Sequence, residues 1–313
     1  MGISQKDALD CFQSDDLIGI GMEADAVRRR LHPEGVVSYV IDGRVDYTNA
    51  ANGAGFEHIY ENVSDIVARG GTGVMLQGEV TPSHTIAWFD GLFRSIKKHF
   101  PAVWLHCLSS NEILAIAAHS GLSVQDSVAR LRDAGLGSIP GDDAGILDGA
   151  MQPQGRTEDW IEVHRAAHGL GMQTTATMTF SAGESFEHRV NHLESIRRLQ
   201  EETGGFASFT PVSFIANGAA LKGLEEATAV EYLKTLAISR MYLDNIVNVQ
   251  SNLETQGLKV LQVGLRFGGN DVGSVLLAEG PNAATEEQLR QVIRDAGFKP
   301  VQRDTLYRTM FLN

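Results

Sequence analysis

Asp142 and Asp143 are adjacent carboxylates in a short Gly141-Asp142-Asp143 segment. Neighbouring carboxylates repel, so one can keep its proton near neutrality and act as a general acid. A solvated turn is the plainer alternative, since Asp is a favoured turn residue. His58 is a candidate general base because an unperturbed imidazole titrates near neutrality; a packed or solvated histidine at a helix start is the other reading. Glu79, after Gln77-Gly78, completes a candidate catalytic set of Asp142, Asp143, His58 and Glu79. Around it, Tyr47, Asn49, Gln77, His106, Ser109, Thr179, Ser213, Asn217, Gln250, Arg266 and Asn270 are candidate substrate-binding groups.

These candidates share one property: each falls at or shortly after the C-terminal end of a segment that reads as a strand. Residues 36–41, 73–77, 103–106, 136–140, 174–179, 207–214, 245–250 and 260–267 are short apolar or β-branched runs. Amphipathic helical segments separate the first seven of them. Eight strands alternating with helices predict an α/β fold, a (β/α)8 TIM-barrel-like domain over 36–267. Residues 1–35 form an N-terminal helical cap and 268–313 a C-terminal extension. In such a barrel the site lies at the C-terminal ends of the strands, which is the rule that selects the residues above.

Other chemistries are weaker. His164/His168 and His188/His192 have the i, i+4 spacing of metal-ligand pairs. Their helices belong to the outer ring, however, and the Val190, Leu193, Ile196 stripe facing the barrel leaves His188 and His192 pointing outward, so no metal site is expected. Arg28-Arg29-Arg30 reads as a solvated helix end, with an anion site as the lesser reading. Arg266-Phe267-Gly268-Gly269-Asn270-Asp271 fits either an anion site or a tight exit from a last strand. Cys107 beside His106 invites a nucleophile reading, but a small buried cysteine is the simpler one.

The chain has 313 residues, 43% of them hydrophobic, enough for a large core without staples. Its formal net charge is −13, which argues against nucleic acid and anionic membranes as partners. No apolar run approaches the roughly 20 residues of a membrane span. The two cysteines, Cys11 and Cys107, make no disulfide framework. A cytoplasmic protein with a small-molecule substrate is expected, and a homo-oligomer stays open.

Several stretches carry a family resemblance. They include Ala26-Val27-Arg28-Arg29-Arg30-Leu31-His32, Asp46-Tyr47-Thr48-Asn49, Ala134-Gly135-Leu136-Gly137-Ser138-Ile139-Pro140-Gly141, Leu265-Arg266-Phe267-Gly268 and Arg303-Asp304-Thr305-Leu306-Tyr307-Arg308. Through them the chain resembles the radical S-adenosylmethionine enzymes of the futalosine route to menaquinone. The resemblance implies a radical-SAM-type barrel and, after Tyr47-Thr48-Asn49, a Cys-x-x-x-Cys-x-x-Cys loop holding a [4Fe–4S] cluster. Here those positions are Ala51, Gly55 and His58. The loops after the fourth, fifth and sixth strands also depart from the family's usual Gly-Gly-Gly-Ala-Glu, Gly-His-Val-Glu and Pro-Trp-Ser-Phe-Gln-Pro.

The expectation is therefore a homologue without a [4Fe–4S] cluster or any other required cofactor. It would act as a non-radical cyclase or isomerase on a small, largely carbon-built substrate in an apolar barrel mouth, in secondary metabolism. Two alternatives stand beside it. S-adenosylmethionine could be retained for polar transfer, its amine received by Gln77-Gly78-Glu79, though loss of the cluster that chelates it weighs against this. The chain could also be a non-catalytic partner of an intact paralogue.

Overall fold

The computed structural model describes residues 2–48, 50, 55–141, 157–215, 225–278 and 280–311. Two helices come first, α1 (Gln5–Gln13) and α2 (Leu17–Leu31). Ser4 and Asp7 form a capping box on α1, and the Asp16 carboxylate caps α2 by accepting from Gly19 N–H at 2.8 Å. Arg28, in the last turn of α2, is buried. It donates to Asp25 at 2.7 Å and lies over the Phe298 ring, so this member of the arginine run is a packing residue.

The first barrel strand is bent at Ile41 into β1 (Val36–Val40) and β2 (Asp42–Asp46). It is followed by α3 (Glu57–Ala68), β3 (Gly73–Gln77), α4 (Ile86–His99), β4 (Trp104–Leu105), α5 (Ser110–Ser120) and α6 (Val124–Ala134). Then come β5 (Ser138–Ile139), α7 (Thr157–Gly169), β6 (Gln173–Phe180), α8 (Phe186–Thr203), β7 (Phe206–Ser213) and α9 (Ala229–Tyr242). The chain ends with β8 (Asn248–Val249), α10 (Leu253–Gly264), β9 (Asp271–Ser274), α11 (Glu286–Asp295), β10 (Lys299–Arg303) and β11 (Met310–Phe311).

Parallel ladders run β2-β3-β4 and β5-β6-β7-β8. The His106↔Ser138 bridge joins the first group to the second, Gln250↔Asp271 joins the second to β9, and β9 pairs with β1. The ring is closed, a (β/α)8 barrel with β1 and β2 as one strand. Period-two alternation explains its two faces. On β6, Thr175, Thr177 and Thr179 line the lumen cavity, while Ala176, Met178 and Phe180 pack under α8 and α9 with Leu193, Ile196 and Leu236. On β3, Met75 and Gln77 face in and Val74 and Leu76 face out onto Phe89, Phe93 and Ile96 of α4.

Two expectations are corrected. Residues 260–267 are not the eighth strand: Leu261 and Leu265, one helical turn apart, are buried with Leu289 and Ile293 at the end of α10. The eighth strand is β9, inside the segment expected to be an extension. That segment also supplies β10, which runs parallel to β1 on the side opposite β9. His192 does not face outward. It is fully buried, with Nε2 2.9 Å from Thr177 O, whereas His188 is exposed.

Candidate functional site

The lumen holds a cavity of about 310 Å³. Gln77, His106, Thr179 and Gln250 line it, together with Asp42, Arg44, Glu254, Arg303 and Thr305. Its wall carries six threonines, Thr175, Thr177, Thr179, Thr210, Thr255 and Thr305. The lumen thus mixes polar side chains with the apolar Val40, Met75, Val212 and Leu277.

The floor of this cavity is a saturated ionic network. Arg303 makes a two-pronged contact with Asp271, Nε at 2.6 Å and Nη2 at 2.8 Å. Nη2 also donates to Tyr307 OH, and Nη1 to the Asp304 and Thr305 carbonyls. Asp271 further accepts from Ser38 Oγ and Gly273 N–H. Asp42 accepts from Thr72 and Thr305 hydroxyls at 3.1 and 2.8 Å, and burial pushes its carboxyl above the usual range. Tyr307 adopts a left-handed backbone, φ 60°, to place its ring against the Arg303 guanidinium, 3.8 Å from its centroid.

The mouth is different. Gln77 is exposed at the end of β3, and neither its amide nor the Thr179 hydroxyl has a side-chain partner among the described residues. Arg44 and Glu254 face each other across the cavity rim at 3.3 Å, both partly exposed. Beyond Gln77 lies a second cavity of about 370 Å³, lined by Gly78, Ser109 and Glu112, with Met75 and Gln77 as the shared wall.

Glu112 organises that side of the mouth. Its Oε1 accepts from Tyr47 OH and, at 3.1 Å, from Gly78 N–H; its Oε2 accepts from Ser109 N–H at 2.7 Å. Burial raises its carboxyl above the usual range, with these hydrogen bonds opposing the shift. One side chain thereby ties the end of β2, the turn after β3 and the start of α5. Leu108, with φ 65°, makes the strained bend that delivers Ser109 to its capping position. The Ser109-x-x-Glu112 capping box is a sequence signal that would have singled out Glu112.

Several expected site residues are placed elsewhere. Tyr47 is fully buried, its phenol held by Glu112 and the Gly78 carbonyl, so it cannot touch a ligand in the lumen. Ser109 is the helix cap. Ser213 accepts from Gln256 Nε2 at 2.5 Å. Arg266 follows α10 rather than a strand; it donates to Ala296 O and stacks on Phe298 at 4.4 Å, on the outside of the barrel. Asn270 precedes β9 and is consumed by Arg240, Val249 N–H and Asn248. His58 is exposed in the first turn of α3 beside Asn62, and Glu79 is exposed, its N–H donating to Thr48 Oγ1 at 3.0 Å. Asn49, Ala51, Asp142, Asp143 and Asn217 lie outside the described residues.

The thiols do not fit a three-cysteine cluster. Cys107 follows β4, fully buried, its Sγ donating to Val74 O, and burial pushes its pKa up. Cys11 lies in α1, packed on a different hydrophobic cluster, and burial raises it too. The chain has no third cysteine, and neither of these two lies in the loop after the first strand.

Among solved structures the chain is similar to methylornithine synthase, PylB, with a TM-score of 0.72 at 13% identity over 96% of this chain and 94% of that one. It is likewise similar to HydG, a maturase of the [FeFe]-hydrogenase, with a TM-score of 0.73 at 12% identity over 98% of this chain and 74% of that one. The chain shares the (β/α)8-type barrel fold of both.

Sequence comparison narrows this. Cyclic dehypoxanthine futalosine synthase of Streptomyces coelicolor is 33% identical, covering 99% of this chain and 86% of its own length. The 5-amino-6-(D-ribitylamino)uracil–L-tyrosine 4-hydroxyphenyl transferase of Methanococcoides burtonii is 33% identical over 92% of this chain and 90% of its own. Residues 203–312 match the family described as the CofH/MqnC C-terminal region. The chain belongs to the CofH/MqnC family, and these relatives are enzymes. No described helix is long and apolar enough to cross a membrane.

Proposed function

We propose that this chain is a redox-neutral cyclase or isomerase that holds a small organic substrate in the barrel lumen and works without an iron–sulfur cluster or an adenosyl radical. The observation that carries this reading is a mismatch within one molecule. The barrel is built with full hydrogen-bond satisfaction at its floor, while the thiols that the family resemblance requires at the mouth are missing. Cyclisation and isomerisation conserve atoms and electrons, so they need no reductant relayed through a cluster. Placement of reacting atoms lowers an intramolecular barrier, and fixed polar groups stabilise charge as it develops.

Gln77 and Thr179 provide hydrogen bonds to the substrate; Gln250 shares their cavity, but its amide accepts from Thr210 and donates to Tyr307. Asp142, Asp143, Glu79 and His58 are the acid–base candidates, and each carboxylate should be replaced by its amide and assayed with the true substrate. Anaerobic reconstitution followed by iron and sulfide analysis is the direct test. Sub-stoichiometric iron is expected; a stoichiometric [4Fe–4S] centre overturns the reading.

A second reading keeps S-adenosylmethionine for polar transfer. It is supported by the Gln77-Gly78-Glu79 turn and the cavity of about 370 Å³ beside it. Calorimetry with purified protein separates the two, because absence of binding removes the second.

A further inference from the structure

His106 sits at the bridge between β4 and β5, and its protonation can be deduced from its neighbours. Its Nδ1 is 2.7 Å from Ser138 Oγ. The same oxygen receives the Trp104 indole N–H at 2.8 Å. An indole nitrogen only donates, so one lone pair of Ser138 is taken. Ser138 is fully buried, and among the described residues its hydroxyl proton has no acceptor other than His106. Were Nδ1 protonated, Ser138 would receive two donors and bury its own proton unpaired, which is costly. The donors therefore run one way, Trp104 to Ser138 and Ser138 to Nδ1. Burial, with repulsion from Arg303, pushes the imidazole pKa down to about 3, so the ring is neutral and its single proton is on Nε2. Nε2 has no partner among the described residues, and His106 lines the lumen.

We propose that His106 is a neutral N–H donor, locked in one tautomer by Ser138 and Trp104, that binds and polarises a carbonyl or enolate oxygen of the substrate. This rests on the lumen being the substrate site. A neutral donor binds more tightly as negative charge grows on such an oxygen, and it keeps its proton throughout. Ser138 and Trp104 are positioning residues, acting only through His106.

The test is nuclear magnetic resonance of the full chain labelled with 15N-histidine, with His106→Gln used to assign the signal. The ring should show the Nε2-protonated pattern, unchanged from about pH 8 to about pH 5. Ser138→Ala and Trp104→Phe should each give a mixture of tautomers. A Nδ1-protonated ring, or titration near the ordinary histidine value, overturns the assignment. Acetophenone should then shift the Nε2 resonance, and ethylbenzene, of similar shape without the oxygen, should not. No shift with the ketone, or equal shifts with both, overturns the acceptor role. A cluster in the reconstituted protein would sink the non-radical reading and leave the tautomer untouched, so the two failures are distinguishable.

Discussion

The floor and the mouth of this barrel are built from the same residue types to opposite ends. At the floor, Arg303, Asp271, Asp42 and Thr305 have their donors and acceptors occupied by one another and by Ser38, Thr72, Gly273, Asp304 and Tyr307. At the mouth, Gln77 and Thr179 face the cavity without side-chain partners among the described residues. A fully paired group is architecture, because a ligand could bind it only by breaking an existing bond. A group with open capacity is available for recognition. Polarity and lumen position alone do not separate the two; the hydrogen-bond count does.

The largest expected effect of breaking this contrast is at the floor. Arg303→Met removes the cation from between two buried carboxylates and should cost about 3–5 kcal/mol in chemical denaturation. Arg303→Lys should recover only part, because an ammonium cannot match the two-pronged geometry on Asp271. A loss below about 1 kcal/mol for Arg303→Met would mean the floor is not the keystone described here.

Next in size is acid sensitivity of the buried histidines. Burial pushes His192 and His168 down to about 4 and His106 to about 3, against 6.5 unperturbed. The unfolded chain therefore takes up protons first as pH falls. Their contribution is present above pH 6.5 and is lost as pH falls, down to about 4 for His192 and His168 and to about 3 for His106. For His192 the loss is about 2 kcal/mol at about pH 5. His192→Gln should flatten the stability profile by close to one proton in that window; an unchanged slope would show that His192 is already charged in the folded state.

How much of this was readable beforehand follows from the same physics. Strand 73–77 was legible as a short apolar run between Gly71 and Gly78, and β6 because its threonines alternate with Ala176, Met178 and Phe180. The eighth strand was not, because Asp271-Val272-Gly273-Ser274 is polar where it lines the lumen. The nearby apolar run at 260–267 belongs to a helix. Arg303 and Asp271 stand 32 residues apart, and no local pattern announces their pairing. Arg266 looked like the anchoring charge only because it was taken to end a strand. Asp42 and Arg44 did carry a signal, since they alternate with Gly43 and Val45 along β2 and so share the lumen face.

Between floor and mouth stands Glu112, and there the expected effect is intermediate. Tyr47→Phe keeps the packing but removes the phenol donor from a half-buried carboxylate, which should cost about 1–3 kcal/mol by denaturant titration. Glu112→Gln puts an amide NH2 where one oxygen now receives the Ser109 or Gly78 N–H, so it should cost at least as much. Two near-neutral results would reassign Glu112 from the architecture to the open mouth.

The smallest effects on stability should come from the mouth itself. Gln77→Ala and Thr179→Val remove groups with no side-chain partner among the described residues, and His58→Ala removes an exposed ring, so each should stay within about 0.5 kcal/mol of the parent. The same substitutions at Gln77 and Thr179 should lower turnover of the true substrate at least about tenfold, one lost hydrogen bond in an enclosed site. Stability and activity would then separate along the barrel axis. If Gln77→Ala instead destabilised the fold while leaving turnover intact, the open capacity at the mouth would belong to a structural contact, and the substrate would have to be sought in the cavity beside Glu112.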